Sequence, residues 1–370
     1  MTVTGQAITT TLAANGTLTV ALVEETLPEP TGHDILVKVE AAPINPSDLA
    51  LLFGPADLAG AEYSPGKIVA RMPEAAMPLL AGRVGQAMRV GNEGAGTVIA
   101  AGEEADAQSL LGTRVACVPG GMFAQYRIAD ARACLPLPKE VSAEAGAAAF
   151  VNPLTVLGFV ETMRRDGFTG IVHAAAASNL GQMLAKVCAE EGIPLVNVVR
   201  SPAQVALLKG IGAEHVLDST AEDFDAALTE AIRATGAMLA FDPIGGGKQA
   251  GRIFSAMERV ASAGLPYNRY GSDAAKKVYI YGALDHGPTI LNRTFGFSWT
   301  LSGWLLFPFL QHIGVHGQER LRHRVLDGLT TTFASSYKAK ISLAGMLERE
   351  TALAYNAKAT GEKYLIEPWG

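Results

Sequence analysis

The chain has 370 residues, too many for one ordinary domain, and its 49% hydrophobic and 18% charged residues exclude a disordered protein and allow two large cores. A net charge of −6, with no basic run longer than Lys276-Lys277, excludes a nucleic-acid surface, and three widely spaced cysteines (Cys117, Cys134, Cys188) exclude a disulfide framework and a four-cysteine zinc lobe. The apolar stretch at 299–310 is shorter than the ~20 residues a bilayer requires and is broken by Pro308, and the amino end lacks a basic segment leading into an apolar one. No membrane association is therefore expected, and the expectation is a cytoplasmic protein with a small-molecule partner.

In chain order, the segments 35–41, 96–102, 113–118 and 123–130 are short, β-branched or alternating, and bounded by Gly, Pro and charged turns, which predicts a barrel-like β domain. From about residue 152 the pattern changes. Apolar strands at 170–175, 195–199, 237–242 and 276–282 alternate with helical stretches at 179–192, 202–213, 221–236 and 246–263. This is a βαβ series, and it predicts a doubly wound parallel sheet with helices on both faces, hence an α/β fold. The aromatic run 295–307 reads as an outer strand and the start of a helix, and 362–368 reads as a final strand.

Residues 173–182, HAAAASNLGQ, lie where the first strand meets its helix. A dinucleotide fingerprint needs little bulk at its first two glycine positions, for a tight turn and for close approach of the pyrophosphate, and at its third for helix packing. Placed on that pattern the chain offers Ala176, Ser178 and Gly181, so that Ser178, Asn179, Leu180 and Gly181 form the candidate pyrophosphate turn, with Ser178 as a possible helix cap. An ordinary strand-turn-helix is the competing reading. The next strand ends at Arg200, 19 residues after Gly181, where an NAD site would carry an acidic residue for the ribose hydroxyl. An arginine there, followed by Ser201, suits the 2′-phosphate of NADP(H); a solvated strand-end charge is the alternative.

The motifs AAPINPSD (41–48), VGNEGAGTVIAAG (90–102), FAQY (123–126), FVNPLTVLG (150–158), ASNLGQ (177–182), LLKGIGAEHVLD (207–218) and YIYGAL (279–284) occur along most of the chain. In this order they resemble the medium-chain dehydrogenase/reductase family, in particular its zinc-free NADPH:quinone oxidoreductases and, less closely, its enoyl thioester reductases. The resemblance implies a GroES-like β-barrel domain at 1–150, completed by 310–370, and a Rossmann domain at 151–309. Zinc-bearing members resemble this chain but carry Cys, His and Cys ligands where it has Asn45, Asn92 and Asn152, and a carboxamide does not replace a thiolate or imidazole at tetrahedral zinc, so no metal is expected. His312 and His316 stand four apart but without a glutamate motif, and Gly314 and Gly317 weaken their helix.

Asn45-Pro46 and Asn152-Pro153 have the form of an N-cap followed by the first helical residue. The resemblance also places these helix starts, with Thr155, near the nicotinamide, and Gly282 and Ala283 on the loop along the nicotinamide end. Asp242 ends a strand and is read either as a cofactor contact or as a cap for the helix after 245–247. Two family residues at the 2′-phosphate, a lysine and a tyrosine, are matched here by Gln204 and Ser219, which leaves Arg200 to compensate. The tyrosine donor of enoyl thioester reductases has no counterpart after NPSD. Tyr63, inside an apparent insertion at about 55–90, is the nearest substitute, and Asn45 and Tyr63 are the candidate catalytic residues. The implied activity is metal-free hydride transfer from NADPH to a quinone or other conjugated carbonyl in a homodimer. Enone or enoyl thioester reduction, and NADPH binding with little turnover, are the alternatives.

Overall fold

Alternation along the first strands sets up the amino-terminal part. In Val3–Leu12 (β1) residues Ile8, Thr10 and Leu12 are buried while Thr9 and Thr11 are less so, and Leu18 and Val20 do the same in Thr17–Leu27 (β2). The computed structural model describes residues 2–361 and 363–370. It divides into two compact units, residues 2–151 with 325–370, and Asn152–Arg324.

The first unit continues with Asp34–Pro43 (β3), Pro46–Leu52 (α1), Asp57–Ser64 (β4), Lys67–Arg71 (β5), Ala87–Arg89 (β6), Gly94–Ala101 (β7), Ala105–Gln108 (α2), Arg114–Cys117 (β8), Tyr126–Asp130 (β9), Leu135–Pro136 (β10) and Ala143–Gly146 (α3). One sheet has the order β4-β5-β2-β1-β6, with antiparallel neighbours throughout. The expected insertion at 55–90 is therefore built into this sheet as the β4–β5 hairpin and β6. The second sheet runs β10-β8-β7-β3 and is extended by two strands from the carboxyl end, Ala339–Ile341 (later β19) and Tyr364–Ile366 (later β20). Ile8, Leu18, Val37 and Ile366, from strands of both sheets, share one core with Phe53 and Phe123 from connecting segments.

The second unit contains most of Val151–Arg165 (α4), then Ile171–Ala174 (β11), Asn179–Glu191 (α5), Leu195–Val199 (β12), Pro202–Gly210 (α6), His215–Asp218 (β13), Phe224–Thr235 (α7), Leu239–Asp242 (β14), Gly245–Gly247 (β15), Gln249–Ala261 (α8), Lys276–Ile280 (β16), Asp285–Thr289 (β17) and Trp299–Gly303 (β18). Its six-stranded sheet has the order β13-β12-β11-β14-β16-β18, every pair parallel. The expected doubly wound sheet is present, with β18 as its outer strand. Leu306–Asp327 (α9) follows, interrupted at Gly314, where φ is 67°. Arg320 bonds Glu161 of α4 at 2.9 Å and Arg324 pairs with Glu190 of α5, so α9 stays with this unit to residue 324 and does not leave it at 309. His312 and His316 are exposed on either side of the interruption. Arg349–Asn356 (α10) and strands β19 and β20 finish the first unit.

Residues 143–165 are apolar enough by length and composition to resemble a membrane span, but 83% of their most apolar window is buried. Aromatic packing accounts for much of that: Phe159 stacks on Phe241 with centroids 3.8 Å apart and meets Trp304 edge-on, and the Trp304 Nε1–H donates to Thr162 Oγ1 at 3.0 Å.

Beside this cluster, His173 of β11 is fully buried, and its Nε2 shares a 2.8 Å hydrogen bond with the Tyr281 hydroxyl. Burial pushes the imidazole down to about 3, so the folded protein holds it neutral while the unfolded chain protonates it near its ordinary 6.5. A depressed folded value leaves this contribution intact above pH 6.5 and removes it as pH falls toward 3. Unfolding free energy should drop by up to about 1.4 kcal/mol for each pH unit below 6.5. His173→Gln should flatten that slope in urea titrations between pH 7.5 and 5; an unchanged slope would contradict the assignment.

Candidate functional site

In an open parallel sheet, ligands bind outside the carboxyl ends of the strands, where the strand order changes direction. Here that point is the β11/β14 junction, because successive strands run from β11 outward through β12 and β13 on one side and through β14, β16 and β18 on the other. The candidates Ser178–Gly181, Arg200–Ser201, Ser219 and Gly282–Ala283 follow β11, β12, β13 and β16, and Asp242 ends β14, so the sheet gathers them along one edge.

The turn after β11 is tight despite its missing glycines. Ala175 takes a left-handed φ of 51°, and the Ala176 N–H donates to the Val198 carbonyl at 3.1 Å. Ser178 is the N-cap of α5, its Oγ accepting from the Gly181 N–H at 3.1 Å. At Gly181 an added Cβ would lie 2.1 Å from the Ala176 oxygen, so only glycine permits this approach of helix to turn. Asn179 and Leu180 occupy the first turn of α5, where a helix presents N–H groups that lack intrahelical acceptors.

Arg200 is exposed just beyond β12. Its backbone N–H donates to Gln204 Oε1 at 3.0 Å, and its guanidinium makes no bond among the described residues. Ser201 is the N-cap of α6, its Oγ accepting from the Gln204 N–H. Ser219 donates its N–H to Val199 O at 2.8 Å and accepts from Arg252 on its own carbonyl.

Asp242 does not cap the helix that follows: α8 begins at Gln249, and Asp242 Oδ1 instead accepts from the Ile244 N–H at 2.8 Å in a local turn. Its Oδ2 is buried without a partner among the described residues, and burial holds the carboxyl above its usual range against the hydrogen bonds from Ile244 and Gly245. Gly282 passes so close to Pro243 that a Cβ would lie 2.7 Å from its oxygen, and Ala283 beside it is exposed.

The first unit has its own buried polar cluster. Asn45 stands at the N-cap position of α1 with Pro46 as the first helical residue, but its side-chain oxygen accepts no bond from the helix, and the reciprocal contact alone is made, Asp48 Oδ2 accepting from the Asn45 N–H at 2.7 Å. Asn45 Nδ2 donates to Glu93 Oε1 at 2.8 Å, which leaves Asn45 Oδ1 buried and without a partner among the described residues. Glu93 Oε2 accepts from the N–H groups of Phe150 and Val151 at 3.0 and 2.8 Å. That carboxylate, and not Asn152, serves the start of α4. The helix begins at Val151, so Asn152 and Pro153 fall inside its first turn, where proline's missing N–H costs nothing. Asn152 and Thr155 are both buried there.

Asn92 donates its N–H to Asp48 Oδ1 at 2.7 Å and its Nδ2 to Ser47 at 2.9 Å. Burial pushes Asp48 up to about 7 and raises Glu93, while the enclosed Lys363 ammonium, which makes no hydrogen bond among the described residues, opposes both shifts. Glu93, Asp48 and Lys363 escaped the sequence reading; the only signal was a glutamate inside the glycine-rich NEGAG run. Tyr63 takes no part in these hydrogen bonds. Its hydroxyl donates to Leu58 O at 2.8 Å within its own strand β4.

Residues 31–139 match the family model described as the alcohol dehydrogenase GroES-like domain. Among curated proteins, the mitochondrial enoyl-[acyl-carrier-protein] reductase of Rattus norvegicus is 27% identical over 192 residues, 50% of this chain and 45% of that protein. The chloroplastic quinone-oxidoreductase homolog of Spinacia oleracea is 28% identical over 213 residues, 55% of this chain and 57% of its own length. The chain thus spans about half the length of these curated relatives. A solved structure from Mesorhizobium loti, described provisionally as an NADPH:quinone reductase, is 27% identical with a TM-score of 0.75, covering 99% of this chain and 98% of that one. The Escherichia coli quinone oxidoreductase complexed with NADPH shares the fold at 18% identity and a TM-score of 0.70, covering 98% and 100%. The resemblance to the medium-chain dehydrogenase/reductase family, with its GroES-like and Rossmann parts, holds in sequence and in fold.

Glu93 is the residue on which the first unit's cluster turns. Glu93→Ala removes the acceptor of three buried donors, so it should cost roughly 3 kcal/mol or more and lower the thermal midpoint by several degrees. A midpoint within one degree of the parent in differential scanning calorimetry would contradict this role.

Proposed function

We propose, starting from a chain that resembles medium-chain dehydrogenases/reductases, that it is an NADPH-dependent oxidoreductase that passes hydride to a quinone or other conjugated carbonyl without a metal. One observation carries the cofactor reading: the first turn of α5, closed against β11 through Gly181 and capped by Ser178, stands at the same sheet edge as an unpaired Arg200 guanidinium. The turn fits a pyrophosphate, because its N–H groups and the helix dipole favour negative charge and nothing at 181 fills the approach. Arg200 fits the 2′-phosphate, which a planar fork of donors can grip. The matched relatives, a quinone-oxidoreductase homolog and an NADPH-complexed quinone oxidoreductase among them, support the same reading.

The nicotinamide of bound NADPH supplies hydride. The chain's own work is placement: Ser178–Gly181 anchor the phosphates, Arg200 selects NADPH over NADH, and Gly282–Ala283 keep bulk away from the crevice after β16. Asn45, fixed by Glu93, offers Oδ1 as an acceptor for a donor from outside the protein. A quinone that accepts hydride becomes a delocalised phenolate and takes its proton from water, so positioning suffices and no strong acid is needed. This favours a quinone over an enoyl thioester, whose developing enolate needs a donor. Tyr63, the candidate donor, directs its proton at Leu58. The amides of Asn45 and Asn92 act as hydrogen-bond donors inside the fold, consistent with a metal-free site.

Titration by intrinsic fluorescence should show tighter binding of NADPH than of NADH, and 1,4-benzoquinone should then drive oxidation of the NADPH complex. Arg200→Glu should weaken NADPH about 30-fold or more, with NADH changed less than about threefold, because attraction to one phosphate becomes repulsion. Equal losses for the two cofactors would assign Arg200 a structural role. Turnover of crotonyl thioester in place of quinone would favour the enoyl reductase reading.

A further inference from the structure

Helix α8 buries one stripe, Ala250, Ile253, Phe254 and Met257, against the unit's core alongside Phe224 and Leu228 of α7. Its opposite stripe begins at Lys248, just before the helix, and continues with Arg252, Ser255 and Arg259 at the four- and three-residue spacings of one helical face. These residues line a cavity of about 450 Å³ whose far wall includes Thr294, a size suited to a small molecule.

That wall is held in place. The chain at Ile290 packs so close to Gly251 that a Cβ would lie 2.9 Å from the Ile290 oxygen, and Ser255 Oγ and Thr294 Oγ1 are bonded at 3.0 Å.

The charge in this cavity is unbalanced. Lys248, Arg252 and Arg259 face a single carboxylate, Asp225, in a protein whose net charge is −6. Asp225 Oδ1 takes the Arg252 Nε–H at 2.7 Å, and the Arg252 guanidinium also lies 4.2 Å over the Phe224 ring. Arg259 donates to Thr229 Oγ1 at 3.0 Å and to the Asp225 carbonyl at 3.3 Å, both neutral acceptors. Lys248 is exposed and makes no bond among the described residues. Two positive charges therefore remain uncompensated at the ends of a row that spans about 16 Å of helix axis at 1.5 Å per residue.

Like charges placed along one walled cavity repel unless an anion joins them, and guanidinium forks with nearby hydroxyls suit phosphate oxygens. We propose that this cavity binds a small phosphate-bearing polyanion, independently of the turn at 175–181 and of the reading of that turn as a cofactor site. A ligand with more than one phosphate would reach from Lys248 past Arg252 to Arg259, as a single phosphate would not.

The test is calorimetric titration of the full chain with inorganic tripolyphosphate at low salt, with and without saturating NADPH, and with citrate in parallel. One tripolyphosphate per chain is expected, undisturbed by NADPH and unchanged in Arg200→Glu. Affinity should fall at least tenfold in Lys248→Glu and in Arg259→Gln, two substitutions at side chains outside the core. Absence of binding, binding untouched by both substitutions, or displacement by NADPH would overturn the proposal. Citrate bound as tightly as tripolyphosphate would overturn the assignment to phosphate.

Discussion

The Rossmann unit depends on one contact, the approach of Gly181 to the carbonyl of Ala176, where even a methyl group would stand 2.1 Å from oxygen. It shows why a fingerprint can lose its first glycines and still form. The first two positions need small residues and one left-handed turn residue, which Ala175 supplies at φ 51° at some conformational cost, whereas the third leaves no room for any side chain. With α5 seated, Ser178 caps it, β11 takes its place between β12 and β14, and the loops that follow the neighbouring strands come to the same edge.

The first unit meets a different constraint, the burial of ionisable groups. Glu93 and Asp48 are enclosed with Lys363, and what makes two carboxylates tolerable is the number of donors around them: two backbone N–H groups and an amide on Glu93, and two backbone N–H groups on Asp48. The asparagines of this unit belong to that arrangement. Asn45 is held by Glu93 while its N–H is held by Asp48, so a change at any one of the three alters the orientation of the carboxamide oxygen that remains unpaired.

Much of the second unit was legible in the sequence, because a parallel sheet buried on both faces announces itself as apolar runs separated by helices of amphipathic period, and LVNVV at 195–199 and AMLAFD at 237–242 are such runs. The positions of Ser178, Arg200 and Ser219 just past strand ends were legible for the same reason. The segments 3–27 and 55–90 were harder. Their pairings join β1 to β6 and β2 to β5, residues far apart in sequence, and such register is decided by tertiary packing and not by local pattern. Glu93 was hidden likewise, because its partners at 45 and 150–151 lie about fifty residues away on either side. Asn152 looked like a cap because Asn-Pro is a good local signal; a distant carboxylate supplied the same hydrogen bonds and let the helix begin earlier. The end of the Rossmann unit moved from 309 to 324 through the ion pairs that Arg320 and Arg324 make, which leave no mark in composition.

The proposed cofactor site rests on the first turn of α5 receiving a dinucleotide pyrophosphate. Hydrogen exchange of the backbone amides, read with and without NADPH, addresses it most directly. Adding NADPH should slow exchange at residues 178–182, with a smaller effect at 200–201. NADPH that binds without slowing exchange at 178–182, or that does not bind at all, would contradict it and return HAAAASNLGQ to an ordinary strand-turn-helix.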